Sequence, residues 1–183
     1  MSSQPNSFQR RIQRVNEALF NTGSENNQSL AADSLSADDV TKTYLLLLSN
    51  AASLEFLRSS AFAKALDKPA RSVGTCLGYS MNECIEELRR FLAIKVYTSD
   101  EGATKISPTP LMDEGWHAAI LNTQFYVKLQ EALGITLHHR PEGAVELDQK
   151  PTRLAAMKAL YKTFFQTEPL TDRFANQLSH LPH

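Results

Sequence analysis

The chain has 183 residues, 42% of them apolar and 21% charged, a composition that supports one substantial core and excludes general disorder. Its 19 basic residues are balanced by 20 acidic ones, so the overall charge supplies no concentrated basic surface for displacing counterions from a duplex. A nucleic-acid partner is therefore not expected.

The first element is an amphipathic helix over residues 1–20, in which Phe8, Ile12, Val15 and Leu19 recur at helical spacing. Arg10, Arg11, Arg14 and Glu17 lie between them as a solvated face. Residues 21–37 are rich in Asn, Ser, Gly and Asp. They carry too little apolar surface to offset the entropy of ordering and read as a flexible linker.

A helical domain is expected over residues 38–183. Ser36 is the N-cap of its first helix, with Asp38 and Asp39 in the positively polarised first turn. The pattern predicts one helix to about Ser59. Leu45, Leu48, Ala52 and Phe56 line one face of it, and Leu46, Leu47, Leu54 and Leu57 widen that face into a helix central to the core. A short helix, Ala61 to Leu66, follows and stops before Pro69.

Ser80 and Glu83 form a capping box that opens the next helix, which buries Cys84, Leu88, Phe91, Leu92 and Val96. Residues 99–106 are polar, contain Gly102 and read as a loop. Thr109 as N-cap and Pro110 as first helical residue announce a helix that runs to Leu133, where Gly134 is the natural stop. After an irregular stretch, Pro151 to Gln166 carries Leu154, Met157, Leu160, Tyr161 and Phe164 at helical spacing, and Pro169 marks its end. No alternating strand pattern is found. The expected fold class is all-α, a single-domain bundle of five or six helices.

The longest strongly apolar run, Tyr44 to Leu48, is far below the ~20 residues that span a bilayer. The opening MSSQPNSFQRR lacks the apolar centre of a secretory signal, so a soluble cytoplasmic protein without a membrane partner is expected. Cys76 and Cys84 lack the short spacing of a zinc knuckle and read as free thiols. Gly74 and Gly78 have neither the lysine nor the preceding strand of a phosphate loop.

Chemistry gathers between Ile106 and Pro141, where His117, His138 and His139 lie. Asp113 and His117 are four residues apart, one helical turn on a shared face. With an imidazole from the following loop they would suffice for a divalent metal, zinc or iron. On a continuous helix to Leu133 the same two residues share a polar stripe with Gln124, Lys128 and Glu131, which describes an ordinary surface ion pair. His138 and His139 are adjacent, so in an extended chain at most one faces His117. Trp116 is expected as a core anchor with its indole N–H on a carbonyl, and Thr123 and Tyr126 as supporting residues.

The run S-P-x-P-x-x-D-E-x-W-H from Ser107 to His117, then I-L-x-T-x-x-Y from Ile120 to Tyr126, then Gly134 and L-H-H-x-P from Leu137 to Pro141 resembles the N-terminal region of plant glycine-rich-domain proteins. Small bacterial and fungal proteins share it. The resemblance covers about Glu86 to Pro141 and implies no settled activity. Many such relatives read W-H-x-H-I-L-D-T, where this chain has Ala119 and Asn122.

Two functional expectations follow. One is a helical interaction module that engages a protein partner, or itself, through the N-terminal helix. The other is a metal-binding protein or metal-dependent enzyme that uses His117 with His138 or His139, assisted by Asp113.

Overall fold

A computed structural model describes residues 37–48, 51–139 and 149–170. The helix expected over residues 1–20, the linker expected over 21–37 except for Ala37, and the residues from Thr171 onward lie outside the described residues. Seven helices and no strand occur among them: α1 (Ala37–Leu47), α2 (Ala51–Arg58), α3 (Ser60–Leu77), α4 (Met81–Thr98), α5 (Pro110–Leu121), α6 (Thr123–Leu133) and α7 (Lys150–Phe165). The all-α expectation holds. Ala37, the last residue assigned to the linker, is already helical.

Helix α4 is the axis on which α1, α3, α5 and α7 all pack. It starts at the expected capping box, in which Glu83 accepts from the Ser80 backbone at 2.8 Å and Ser80 Oγ accepts from Glu83 N at 3.3 Å. Cys84, Ile85, Leu88, Phe91, Leu92, Ala93 and Ile94 are all buried, while Val96 is half-buried. The expectation that the leucine-rich helix would be central is corrected. Leu45 and Leu46 of α1 are 48% and 39% exposed, and only Tyr44, Leu47 and Leu48 of that run are buried.

Three helix boundaries differ from the sequence reading. The helix expected from Ser36 to Ser59 is two helices, with Leu48 in a bend after α1. The two halves serve different neighbours: α1 packs on α4 and α7, whereas α2 packs on α6. Ser53 Oγ donates to Ala132 O at 2.9 Å across the latter contact.

Helix α3 continues through Pro69 to a left-handed cap at Gly78, φ 75°. An internal proline costs about 3 kcal/mol. Burial of Phe62 and Leu66 before it, with Ala70 after it, returns roughly 1.5–3 kcal/mol for each large side chain and outweighs that cost.

The helix expected from Pro110 to Leu133 breaks at Asn122, which has φ −89° and ψ 76° and whose side chain caps α6 by accepting from Phe125 N at 3.3 Å. Gly134 ends α6 as expected, with φ 68°. The break lets α5 pack on α3 and α4 while α6 turns onto α2, burying Phe125, Leu129 and Leu133.

A polar network closes the other side of the bundle. Tyr161 of α7 donates to Glu87, Arg90 donates to Tyr161 Oη at 2.9 Å, and Tyr44 donates to Glu86 at 2.8 Å. Buried polar groups need such partners, and these tie α1, α4 and α7 together.

Candidate metal centre

The site begins at the N-terminus of α5. Thr109 Oγ1 accepts from Met112 N at 3.4 Å, Pro110 occupies the first turn, and Asp113 N donates to Thr109 O at 2.9 Å. This cap fixes Asp113 in the first turn, and His117 follows one turn later on the same face. Because α5 ends at Leu121, the long polar stripe through Gln124 and Glu131 does not exist.

The third member comes from the segment after α6. Its backbone is pinned at three points. Leu137 N donates to Gln130 Oε1 at 2.9 Å, Tyr126 Oη donates to Leu137 O at 2.5 Å, and His138 N donates to Glu101 O at 3.0 Å. Side chains alternate along an extended segment. Leu137 is buried, His138 is exposed and His139 turns inward.

His139 Nε2 lies 3.3 Å from Asp113 Oδ1, and His117 Nδ1 lies 3.8 Å from Asp113 Oδ2. The two imidazole centroids are 4.4 Å apart. One donor atom from each of Asp113, His117 and His139 lies within 4.8 Å of the others. Donors ~2.1 Å from one ion sit roughly 3.0–3.4 Å apart in octahedral or tetrahedral geometry, so the triad could hold an ion after small side-chain rotations. His139 is the most covered member, its side chain 18% exposed against 37% for Asp113 and 45% for His117.

Trp116 forms the floor. It is 2% exposed, and its ring packs edge-on against His139 at 4.9 Å and against Phe91 at 5.4 Å. Its indole N–H donates to Tyr126 Oη at 3.1 Å, a phenol oxygen and not the expected carbonyl. Burial pushes the Tyr126 phenol up, against the lowering effect of the Trp116 hydrogen bond, so the phenol keeps its proton and donates it in the hydrogen bond to Leu137 O.

Below Trp116, Lys95 Nζ sits 4.9 Å from the ring centroid and 2.8 Å from Asp100 Oδ2. Asp100 also accepts from Thr104 N at 2.8 Å and Lys105 N at 2.9 Å, shaping the loop that leads into α5.

The triad opens into a cleft of about 460 Å³, within the roughly 300–1,000 Å³ of small-molecule sites. Ile106, Ser107, Pro108, Trp116 and Leu154 line it, with Glu114 beside Asp113 and with Lys150 and Arg153 from the first turn of α7. Arg153 Nε donates to Ser107 Oγ at 3.1 Å.

Of the residues named from sequence, Asp113, His117 and His139 converge, with Trp116 and Tyr126 supporting them. His138 is exposed and is not one of the three, and Thr123 is exposed at the first residue of α6 and does not line the cleft. Ala119 is fully buried and two residues from His117, on the far side of α5, so an alanine there removes no donor from this triad.

Sequence reasoning missed Lys95, Asp100, Lys150 and Arg153. Only Lys95 left a signal, as a lysine one turn from Phe91 on an apolar helix face. Cys84 is a free thiol that burial, aided by Glu83, pushes up. The Cys76 side chain lies outside what is described. No described helix is long and apolar enough to cross a membrane. Comparison with protein-family models, curated proteins and solved structures gave no match.

Proposed function

We propose that Asp113, His117 and His139 bind a divalent first-row transition ion, zinc or iron, as the functional centre of a metal-binding protein with the open coordination of a metal-dependent enzyme. The observation that carries this is the convergence within 4.8 Å of three donors from two elements far apart in the chain, at the mouth of a cleft. Two neutral imidazoles and a carboxylate suit either ion, and three protein donors leave coordination positions open to the cleft. An ion so held lowers the pKa of bound water or binds oxygen. The motif resembling plant glycine-rich-domain proteins contains all three donors, and we extend the proposal to kinship with that group.

Trp116 is the sole tryptophan and touches His139, so its fluorescence reports the site directly. Untagged protein should carry about one ion per chain, and Co²⁺ should quench Trp116 emission stoichiometrically. His117→Ala and His139→Ala should abolish both signals. Sub-stoichiometric metal, or quenching indifferent to both variants, overturns the reading.

A second reading, a protein-interaction module, is favoured by large apolar side chains at the surface. Leu121 is 83% exposed, Val127 53% and Leu45 48%. Light scattering on the full chain and on Leu121→Asp separates the two readings. A monomer unchanged by that substitution, with no partner released by it, removes the second.

A further inference from the structure

Helix α5 brings more to the site than its two donors. Asp113, Glu114, Gly115, Trp116 and His117 follow in order, so a glutamate stands directly after the first donor and three residues before the second. A helical turn that reads ligand–Glu–x–x–ligand is one in which two donors hold zinc and the glutamate serves as general base. We infer that Glu114 takes the proton of a water held on the ion, and that the cleft hydrolyses a carboxylic ester or amide; this rests on the metal reading above.

Helix geometry separates the roles. At about 100° per residue, Asp113 and His117 lie roughly 40° apart, while Glu114 lies roughly 60° beyond His117 on the side away from Asp113. It therefore flanks the ion's position without joining the donors. Asp113, His117 and His139 have donor atoms within 4.8 Å of one another, and Glu114 is not one of that group, yet it lines the same cleft as all three. Both oxygens of Asp113 are committed to the imidazoles, Oδ1 at 3.3 Å from His139 and Oδ2 at 3.8 Å from His117. Glu114 is exposed and makes no hydrogen bond or ion pair among the described residues, so its carboxylate is free to accept a proton.

The donor set suits hydrolysis. Two imidazoles and one carboxylate, with water in the open position, are ligands of hydrolytic zinc sites. The ion lowers the pKa of that water and polarises a carbonyl oxygen. One water proton passes to the Glu114 carboxylate as the water oxygen bonds to the carbonyl carbon. The bond from that carbon to the alkoxy or amino group then breaks, and the departing group takes the proton back from Glu114. The products are an acid and an alcohol or amine, and no oxidant or reductant is consumed. Pro108, Pro110 and Leu154 in the lining suit the apolar flank of such a substrate.

The test uses the full chain loaded with Zn²⁺, with p-nitrophenyl acetate as the ester probe. Metal-dependent release of p-nitrophenolate is expected. Glu114→Gln should lower its rate about 10²–10⁴-fold, the usual worth of a general base, with metal content unchanged, and Glu114→Asp should restore part of the loss. Acetohydroxamate binding to the Co²⁺-loaded chain, followed by visible absorption, gives a readout without turnover. That probe chelates as an anion, and the proton it sheds needs an acceptor beside the ion. Glu114→Gln should weaken its binding at least about tenfold, the loss of one charge-assisted hydrogen bond.

Because Glu114 is exposed, neither substitution disturbs the core. Normal metal loading without hydrolysis, or hydrolysis or hydroxamate binding indifferent to Glu114→Gln, overturns the inference and leaves the metal reading standing. Loss of metal from Glu114→Gln makes the residue a ligand and overturns the inference as well. Failure of the unaltered chain to load metal overturns both.

Discussion

Lys95 and Asp100 form an ion pair, Nζ to Oδ2 at 2.8 Å, in which neither side chain reaches solvent. Burying two charges is expensive and is repaid only when their other hydrogen-bonding needs are met. Here Asp100 takes the amides of Thr104, Lys105 and Ile106, and Lys95 lies over Trp116 and Phe91. Glu101, next to Asp100, receives the His138 N–H. The pair therefore organises both the loop entering α5 and the segment that delivers His139.

Asp100→Asn should destabilise the protein by about 3–5 kcal/mol, because it leaves the Lys95 charge buried without its counterion. Lys95→Met combined with Asp100→Asn should recover part of that loss. Urea unfolding of the three proteins at neutral pH checks the order. Equal losses in the single and double variants would contradict it.

The same pair sets an acid limit. Burial raises Asp100, but the Lys95 charge and hydrogen bond with the Lys105 and Thr104 amides outweigh it and hold the carboxyl below its usual range. A depressed carboxyl stabilises the fold above its unfolded value of ~3.9, and that contribution is lost as pH falls through the folded value. The stability gap between wild type and Asp100→Asn should thus narrow below about pH 4. Thermal unfolding between neutral pH and strong acid measures it.

Alkaline stability is governed by tyrosine. Burial first, then the Glu87 carboxylate, holds the Tyr161 phenol well above its usual range, and Tyr44 is raised by burial and Glu86. A raised value means full stabilisation below the unfolded pKa of ~10 and loss as pH rises beyond it. Tyr161→Phe should cost about 1.5–3 kcal/mol at neutral pH, the worth of a hydrogen bond to a charged group. It should also flatten the decline of Tm above about pH 10.

Tyr126→Phe removes the hydroxyl that joins Trp116 Nε1 to Leu137 O without touching a proposed ligand. Hydrogen bonds made directly to a ligand are worth about 10–100-fold in metal affinity; this one acts a step further out, through Leu137, and a loss of up to about 10-fold is expected. Competition titration measures it, and an unchanged affinity would show that the Leu137 segment holds His139 without help.

Two glycines should respond oppositely to alanine. A Cβ on Gly74 would stand 2.4 Å from the Tyr79 carbonyl oxygen, a backbone atom held close by the Tyr79 N–H bond to Gly74 O at 2.9 Å. One on Gly115 would meet Leu88 at 3.5 Å, an ordinary contact. Gly115→Ala should stabilise by roughly 0.5–1 kcal/mol through helix propensity. Gly74→Ala should destabilise by about 1–3 kcal/mol despite the same propensity gain. Paired melting curves check the signs.

Local chemistry made much of this protein readable from its residues. The Ser80–Glu83 box, the Thr109–Pro110 start and the Gly134 stop depend on groups within a few residues of each other, and all three form as the sequence predicts. The alternation that separates His138 from His139 is equally local. Leu137, apolar and therefore inward, already marks His139 as the histidine sharing its face. The breaks at Leu48 and Asn122, and the passage of α3 through Pro69, were not readable. Each is decided by which distant helix the segment must pack against, and packing energy there exceeds local preference.

By itself, then, the sequence determined an all-α chain, its main caps and a short list of donors on one helical turn and one loop. Tertiary structure alone decided that Asp113 and His117 meet His139, that Trp116 and the buried Lys95–Asp100 pair lie beneath them, and that α7 brings Arg153 to Ser107 in the cleft lining. The Asp113–His139 and Ser107–Arg153 contacts join residues 26 and 46 positions apart, and periodicity along one helix carries no information about which side of another it will face.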